Sequence, residues 1–297
     1  MSDTLPPEKI FKSYDIRGIY PTELNEKNII PIVRAIYKFF LESSNSKGPL
    51  KIVLGQDMRI SSPILFEKAS RALVEAGADV IDVGLVSTPT FYFAVNNYDY
   101  DCGIQISASH NPKEYNGLKI VKKTKEGILK IGKPTGMEDV KKGALTGVDF
   151  GKVKKGRIIK HKGVLADEVK NSLKMVSSVN VKKFKVVADP ANAMGALYID
   201  ELFKKIPGDL IKMNFELDGT FPVHQPDPLQ FDTLKDLQKK VVKEGADIGL
   251  APDGDGDRIY FIDEKGGIVL PSSIISLISK EILKNNPGAK IIVDLKY

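Results

Sequence analysis

Apolar residues recur at helical spacing from Asn28 to Leu41, where Ile29, Ile30, Ile32, Val33, Ile36, Phe39 and Phe40 fall three and four positions apart. Lys51 to Leu54 is a short apolar run that stops at Gly55, the signature of a buried strand. Ser61 or Ser62 supplies a cap, and Pro63 a first-turn residue, for a helix reaching Ala76. Val80 to Val83 predicts a strand, Pro89 to Val95 the start of a helix, and Gly103 to Ile106 another strand. The stretch from Gly143 to Lys162 is rich in Gly and Lys and poor in large apolar residues, so a domain junction is expected there. Beyond it, helices over Leu165 to Met175, Met194 to Lys205 and Leu234 to Glu244 alternate with strands. Those strands are expected at Phe184 to Ala188, Leu210 to Asn214, Asp247 to Leu250 and Ile259 to Ile262, with Gly266-Gly267 as a hairpin turn. A helix over Ser272 to Asn285 and a strand over Lys290 to Asp294 follow. Strand–helix alternation of this kind predicts an α/β layered fold. The last piece cannot bury both faces of a sheet alone, so the sequence is expected to stop inside a domain.

Composition changes this picture little. The chain has 297 residues, long enough for two domains and part of a third, and 42% hydrophobic residues, which excludes global disorder. Basic residues number 44 against 38 acidic, a net charge of +6. Much of the excess lies between Lys119 and Lys162, either as a solvated fringe or as a rim attracting an anionic substrate. The interspersed acidic residues and the lack of a basic-aromatic module argue against nucleic-acid binding. No apolar run approaches the ~20 residues of a membrane span. The start from Met1 to Lys12 lacks the apolar core of a signal peptide. The single Cys102 permits no intrachain disulfide. A soluble cytoplasmic protein is expected.

Two segments carry chemistry. Ile104 to Ile106 reads as a strand that breaks into a loop through Ser107-Ala108-Ser109-His110-Asn111-Pro112. Strand ends in α/β sheets favour ligand sites. Serines near a turn also serve simply to satisfy backbone groups. A hydrolase pair of Ser109 with His110 is disfavoured, because neighbouring side chains in extended backbone point apart and no G-x-S-x-G elbow is present. Further on, Lys119 in Gly117-Leu118-Lys119-Ile120 is either a surface lysine or a proton shuttle beside bound phosphate.

The second segment is Asp253-Gly254-Asp255-Gly256-Asp257-Arg258. Three carboxylates at alternate positions converge only where the chain turns sharply, and the two glycines permit that turn. Hard oxygen ligands suit Mg²⁺ or Ca²⁺. An EF-hand loop would also place Glu264 at its twelfth position, but Arg258 stands where that loop needs glycine, and a strand follows instead of a helix. Arg258 suits phosphate oxygens, or a salt bridge to a neighbouring aspartate.

Taken together, the chain resembles the phosphohexomutases. The resemblance rests on Tyr14-Asp15-Ile16-Arg17-Gly18, the run Gly55 to Pro63, the Ser107 to Pro112 loop, Asn116 to Ile120 and the aspartate loop, in family order across most of the sequence. It implies three-layer αβα domains with mixed sheets. Residues 1–150 would be domain I with the phosphoserine loop, 151–265 domain II with the metal loop, and 266–297 the start of domain III. It further implies that Ser109 is phosphorylated and that Mg²⁺ is held by Asp253, Asp255, Asp257 and a phosphoserine oxygen. Lys119 is then a general acid/base, His110 a positioning group, and Tyr14, Arg17 and Arg258 phosphate or substrate contacts. Arg59 is expected to brace the serine loop. The implied reaction interconverts hexose 6-phosphate and hexose 1-phosphate through a 1,6-bisphosphate. Sugar-recognising and phosphate-clamping loops of the later domains lie outside this sequence, so little mutase turnover is expected from it alone. The alternatives are a phosphoglucosamine mutase and a non-catalytic sugar-phosphate-binding module.

Overall fold

The computed structural model describes residues 5–44, 48–176 and 181–293, which build two mixed sheets flanked by helices. The first sheet uses β1 (Ile16–Ile19), β2 (Lys51–Gln56), β3 (Asp79–Leu85), β4 (Cys102–Ile106), β5 (Tyr115–Thr124), β6 (Gly127–Lys130) and β7 (Ile158–Lys160). Its order is β1-β5-β4-β2-β3-β7, with β6 paired to β5. Strands β4, β2, β3 and β7 run parallel, and β5 turns back antiparallel to β4 and β1.

Alternation along the strands divides two cores. Ile52 and Leu54 of β2 face one side, with helices α1 (Ile29–Glu42), α2 (Ser62–Glu75) and α4 (Met137–Thr146). Val53 faces the other, with Phe91 and Val95 of α3 (Thr88–Asn97) and Val164 of α5 (Val164–Met175). The apolar stripe read on α1 is the buried one: Ile29, Ile32, Val33, Ile36 and Phe40 are all in the core. Gly103 on β4 lets Phe91 and Val95 lie directly on the strand, since a Cβ there would stand 2.6 Å from the Phe91 ring.

The second sheet has the order β12-β11-β10-β8-β9, from β8 (Phe184–Ala188), β9 (Gly208–Lys212), β10 (Ile248–Pro252), β11 (Ile259–Ile262) and β12 (Ile268–Val269). Strands β8, β9 and β10 are parallel; β11 and β12 are antiparallel, joined by the expected Gly266-Gly267 turn. Helices α6 (Gly195–Phe203) and α7 (Lys235–Glu244) belong to this unit, and α7 closes its core with Leu237 and Val241 against Val187, Ala251 and Ile262. Helix α5 contacts both α3 and α6 and so bridges the two units. The layered α/β architecture is as expected.

Three details differ from the sequence reading. Strand β7 joins the first sheet, which therefore extends past residue 150. It is a three-residue edge strand, Ile158-Ile159-Lys160, with exposed first and last positions, too short to stand out from the lysine-rich residues around it. Helix α4 runs four residues into the Gly- and Lys-rich stretch where only a junction was expected, held by Val140 and Ala144 against α1. Residues 290–293 form no strand; Asp294 lies outside the described residues. A strand needs a neighbour for its backbone groups, and among the described residues no strand pairs with this segment.

Among the described residues no helix is long and apolar enough to cross a membrane. Helix α8 (Pro271–Asn285) leaves Leu277 62% and Ile278 54% exposed, beside Ile275 and Ile282. An uncovered apolar stripe of this kind drives association. Size-exclusion chromatography of the 297-residue chain is expected to show concentration-dependent self-association that the double change Leu277→Glu, Ile278→Lys relieves. A chain that stays monomeric throughout the concentration series contradicts this.

Candidate active site between the two sheets

Parallel strands deliver their loops to one end of a sheet, and the site lies where two such ends meet. Strand β4 runs out at Ile106, and the loop turns on Ser107, whose Oγ accepts from the Ser109 N–H at 3.0 Å. Ser109 has φ +53, the left-handed region that a serine seldom occupies. The turn leaves its hydroxyl buried and aimed at the second sheet. There Ser109 Oγ donates to Asp253 Oδ2 at 3.0 Å, and Arg258 Nη2 donates to Oγ at 3.2 Å. His110 Nδ1 lies 3.3 Å from the same oxygen. Adjacent in sequence, Ser109 and His110 do meet, because the left-handed residue breaks the extended geometry assumed from the sequence.

The aspartate loop follows β10 and returns into β11, closed by Asp253 N–H to the Arg258 carbonyl at 3.0 Å. Gly256 has φ +76. Gly254 is required for a different reason: a Cβ there would stand 2.3 Å from the Ser109 carbonyl oxygen. The two loops thus touch backbone to backbone. Asp253, Asp255 and Asp257 each offer a carboxylate oxygen within 4.8 Å of the others, and the first two are fully buried.

Cations from both units answer this charge. Lys119 of β5 pairs with Asp255 and lies 2.6 Å from Asp257 Oδ2. Arg258 pairs with Asp253 at 2.7 Å. Thr88, the first residue of α3, donates its hydroxyl to Asp255 and its N–H to the Asp255 carbonyl at 2.9 Å. Burial, then the charges of Asp255 and Asp257, push the Asp253 carboxyl pKa up despite Arg258. Burial would raise Asp255 too, but Lys119 outweighs it and holds that carboxyl low. Burial disfavours the Lys119 ammonium, yet the two aspartates reverse the balance and raise its pKa. Burial and then Arg258 keep His110 below its ordinary value. Even so, among the described residues Asp255 Oδ1 is buried without a hydrogen-bond partner. Three converging carboxylates, one with an unpartnered buried oxygen, fit a hard divalent cation.

Other expected residues divide. Arg17 of β1 is held by Asp15 at 2.8 Å and donates to the Ala108 carbonyl at 3.2 Å and to the Asn111 side chain. Tyr14 stands apart: it is 77% exposed and, among the described residues, makes no hydrogen bond to either loop. Arg59 is fully buried and donates to four carbonyls of the serine loop and the start of β5. Thr88 and Gln225, whose amide donates to the His110 carbonyl at 2.7 Å, were not singled out in the sequence. Nothing local marks either one; the Ser87-Thr88-Pro89 start of a helix was the only hint for Thr88.

The fold and site together define a two-unit α/β protein that presents a serine hydroxyl to a carboxylate triad. The chain belongs to the phosphoglucomutase/phosphomannomutase family: residues 8–131 match its alpha/beta/alpha domain I, and residues 165–267 match its alpha/beta/alpha domain II. It is 37% identical over 294 residues to a phosphomannomutase/phosphoglucomutase of Pseudomonas putida, covering 98% of this chain and 60% of that protein. It is 38% identical over 291 residues to a phosphomannomutase of Salmonella montevideo, covering 96% and 61% respectively. The crystal structure of a phosphoglucomutase/phosphomannomutase family protein from Burkholderia thailandensis superimposes with a TM-score of 0.84 at 30% identity, covering 96% of this chain and 61% of that one. The chain therefore spans about three-fifths of the length of the relatives it matches.

Two outcomes follow from the geometry. Gly254→Ala puts a methyl group into the Ser109 carbonyl, an overpacking that costs about 1–3 kcal/mol. Urea unfolding should show that loss, and an unchanged midpoint would mean the loops separate freely. Behind the site, Glu168 of α5 accepts from the Thr90 hydroxyl at 2.5 Å, and burial pushes its carboxyl up to about 7. The folded state holds this proton more tightly than the unfolded chain does. Its contribution is complete below the ordinary carboxyl value and is lost as pH rises through 7, on the order of 3 kcal/mol. Glu168→Gln should raise the melting temperature at pH 8, with a gain that shrinks towards pH 4.5; a gain independent of pH would assign the titration elsewhere.

Proposed function

We propose that the chain is the phosphoryl-carrying portion of a phosphohexomutase that interconverts hexose 6-phosphate and hexose 1-phosphate through a 1,6-bisphosphate. The observation that supports it most is the 3.0 Å contact of Ser109 Oγ with Asp253 Oδ2, across two sheets. A purely structural serine has no need to lie buried against a carboxylate triad. In this reading Ser109 carries the phosphoryl group, and Asp253, Asp255, Asp257 and a phosphoserine oxygen hold Mg²⁺. Bound there, Mg²⁺ supplies charge neutralisation and polarises the transferring group. The first unit through β7, the second through β12, and the residues from α8 onward are taken as two domains and the start of a third. The protein is read as cytoplasmic.

Phosphoryl transfer depends on in-line positioning and charge neutralisation more than on covalent assistance. Phosphoserine adds about −1.5 to −2 charge at neutral pH. Arg258, already donating to Ser109 Oγ, is assigned to the phosphate oxygens. Arg17 braces the loop from the first sheet and, with exposed Tyr14 near it in sequence, is assigned to the incoming substrate. As the sugar oxygen–phosphorus bond forms, the Ser109 Oγ–phosphorus bond breaks, the sugar hydroxyl loses its proton and Oγ gains one. Lys119 is assigned this proton exchange. Its ammonium is held protonated while Asp255 and Asp257 are its partners, so it serves as the acid before the base. His110, kept neutral by burial and Arg258, orients Oγ. The bisphosphate then reorients and returns its other phosphate to Ser109.

The test is intact-protein mass spectrometry after incubation with glucose 1,6-bisphosphate and Mg²⁺. One phosphate is expected on the chain and none on Ser109→Ala, with Asp255→Asn taking it up far more slowly. Absence of phosphate on the unaltered chain removes the reading. Steady-state conversion of hexose phosphates by the 297-residue chain should be weak, since remote binding of the sugar contributes to turnover.

A further inference from the structure

Between β9 and α7 the second unit sends residues 214–227 across to the first. This strap is anchored at home. Asn192 donates its N–H to the Asn214 carbonyl at 2.7 Å and its side-chain amide to the Glu216 carbonyl at 2.8 Å. Buried Asp189 holds Asn214 at 2.9 Å and His224 at 3.1 Å. The strap then lies on the segment 58–60, where a Cβ on Gly219 would stand 2.6 Å from the Met58 carbonyl oxygen and 2.7 Å from Arg59 Cα.

We propose that Phe221 and Gln225 are positioning residues for the Ser109 loop, Phe221 acting through the Arg59 guanidinium and Gln225 through the His110 carbonyl. Arg59 Nη2 donates to the carbonyls of Ser109 at 2.8 Å and Asn111 at 2.6 Å; Nη1 donates to those of Pro112 at 2.7 Å and Tyr115 at 3.0 Å. One side chain thus fixes the backbone on both sides of the turn. The Phe221 ring lies over that guanidinium, 5.2 Å from Cζ to the ring centroid. Phe221 has φ +50, a region a bulky residue avoids, and it belongs to none of the apolar cores. Its strained backbone is therefore not offset by core burial; what it covers is Arg59. Four residues on, Gln225 donates to His110, and the next residue, Pro226, accepts from the Gly254 N–H at 3.0 Å. A single strap thus holds the serine loop and the aspartate loop against each other. Its loss would shift the hydroxyl without touching any group that binds substrate.

The inference rests on Ser109 being the phosphoryl carrier. The test measures the rate of Ser109 phosphorylation by glucose 1,6-bisphosphate in the 297-residue chain, in Phe221→Leu, Gln225→Leu and Phe221→Tyr. The first two should lower the limiting rate about tenfold or more, as small misplacements do, while the half-saturating donor concentration stays within about twofold. Phe221→Tyr, which keeps a ring over the guanidinium, should react as the unaltered chain does. Unchanged limiting rates in the two leucine variants, or a loss confined to half-saturation, would overturn the proposal. If Phe221→Leu does not fold, Gln225→Leu decides alone. If the unaltered chain takes up no phosphate, the carrier reading fails by itself, and hydrogen exchange of amides 108–113 then decides on the strap. Faster exchange in the leucine variants upholds it, and unchanged exchange ends it.

Discussion

Everything at this site depends on the approach of Gly254 to the Ser109 carbonyl, a contact in which any side chain would collide. It brings a hydroxyl from one sheet against carboxylates from another, and it does so in a buried place where charge is expensive. Asp253 and Asp255 are fully buried, with Asp257 beside them, and Lys119 and Arg258 answer with positive charge in direct ion pairs. Desolvating such groups costs several kcal/mol each and is offset only by close, well-bonded partners. The raised pKa of Asp253 and the unpartnered Asp255 oxygen are two signs of the same imbalance. The reading of a bound dication follows from that imbalance and not from the aspartate spacing alone.

The fold makes the imbalance tolerable by dividing it among elements that are rigid for other reasons. Strands β4 and β10 carry the two loops, and each is paired on both sides within its sheet. Strand β5 brings Lys119 opposite Gln105, α3 brings Thr88, and β1 brings Arg17. Each group is fixed by packing remote from the charge it meets. Rigid placement of this kind lets dipoles and cations act without reorganising during a reaction.

Much of this was legible in the sequence because the chemistry is contiguous. Three aspartates and two glycines in five residues constrain one another, and so does the serine loop with its strand and proline. Lys119 was legible only through its motif, since nothing in its local pattern says that it meets Asp257 across 138 positions. Tyr14 shows the converse, because sharing a motif with Arg17 did not bring its side chain to the loops. Phe221 and Gln225 were not legible at all, and Thr88 only as a residue at a helix start. Their roles come from tertiary approach, and a threonine at a helix start or a phenylalanine in a loop looks ordinary in one dimension. Strand β7 was missed because it is three residues long and held by one row of backbone bonds at a sheet edge, so its two isoleucines make no readable pattern.

The two units have separate apolar cores, and the contacts at the site between them are mostly hydrogen bonds and ion pairs. Such an interface yields before either core does, because its bonds exchange readily with water. A small rotation between the units would therefore part Ser109 from Asp253 while both sheets stayed intact. Helix α5 resists that rotation from one side, through Thr90 and Glu168, and the 214–227 strap resists it from the other, through Arg59 and His110. With the hydroxyl held only as firmly as these polar clamps hold, the relation between units, rather than the stability of either, sets how well the site is formed.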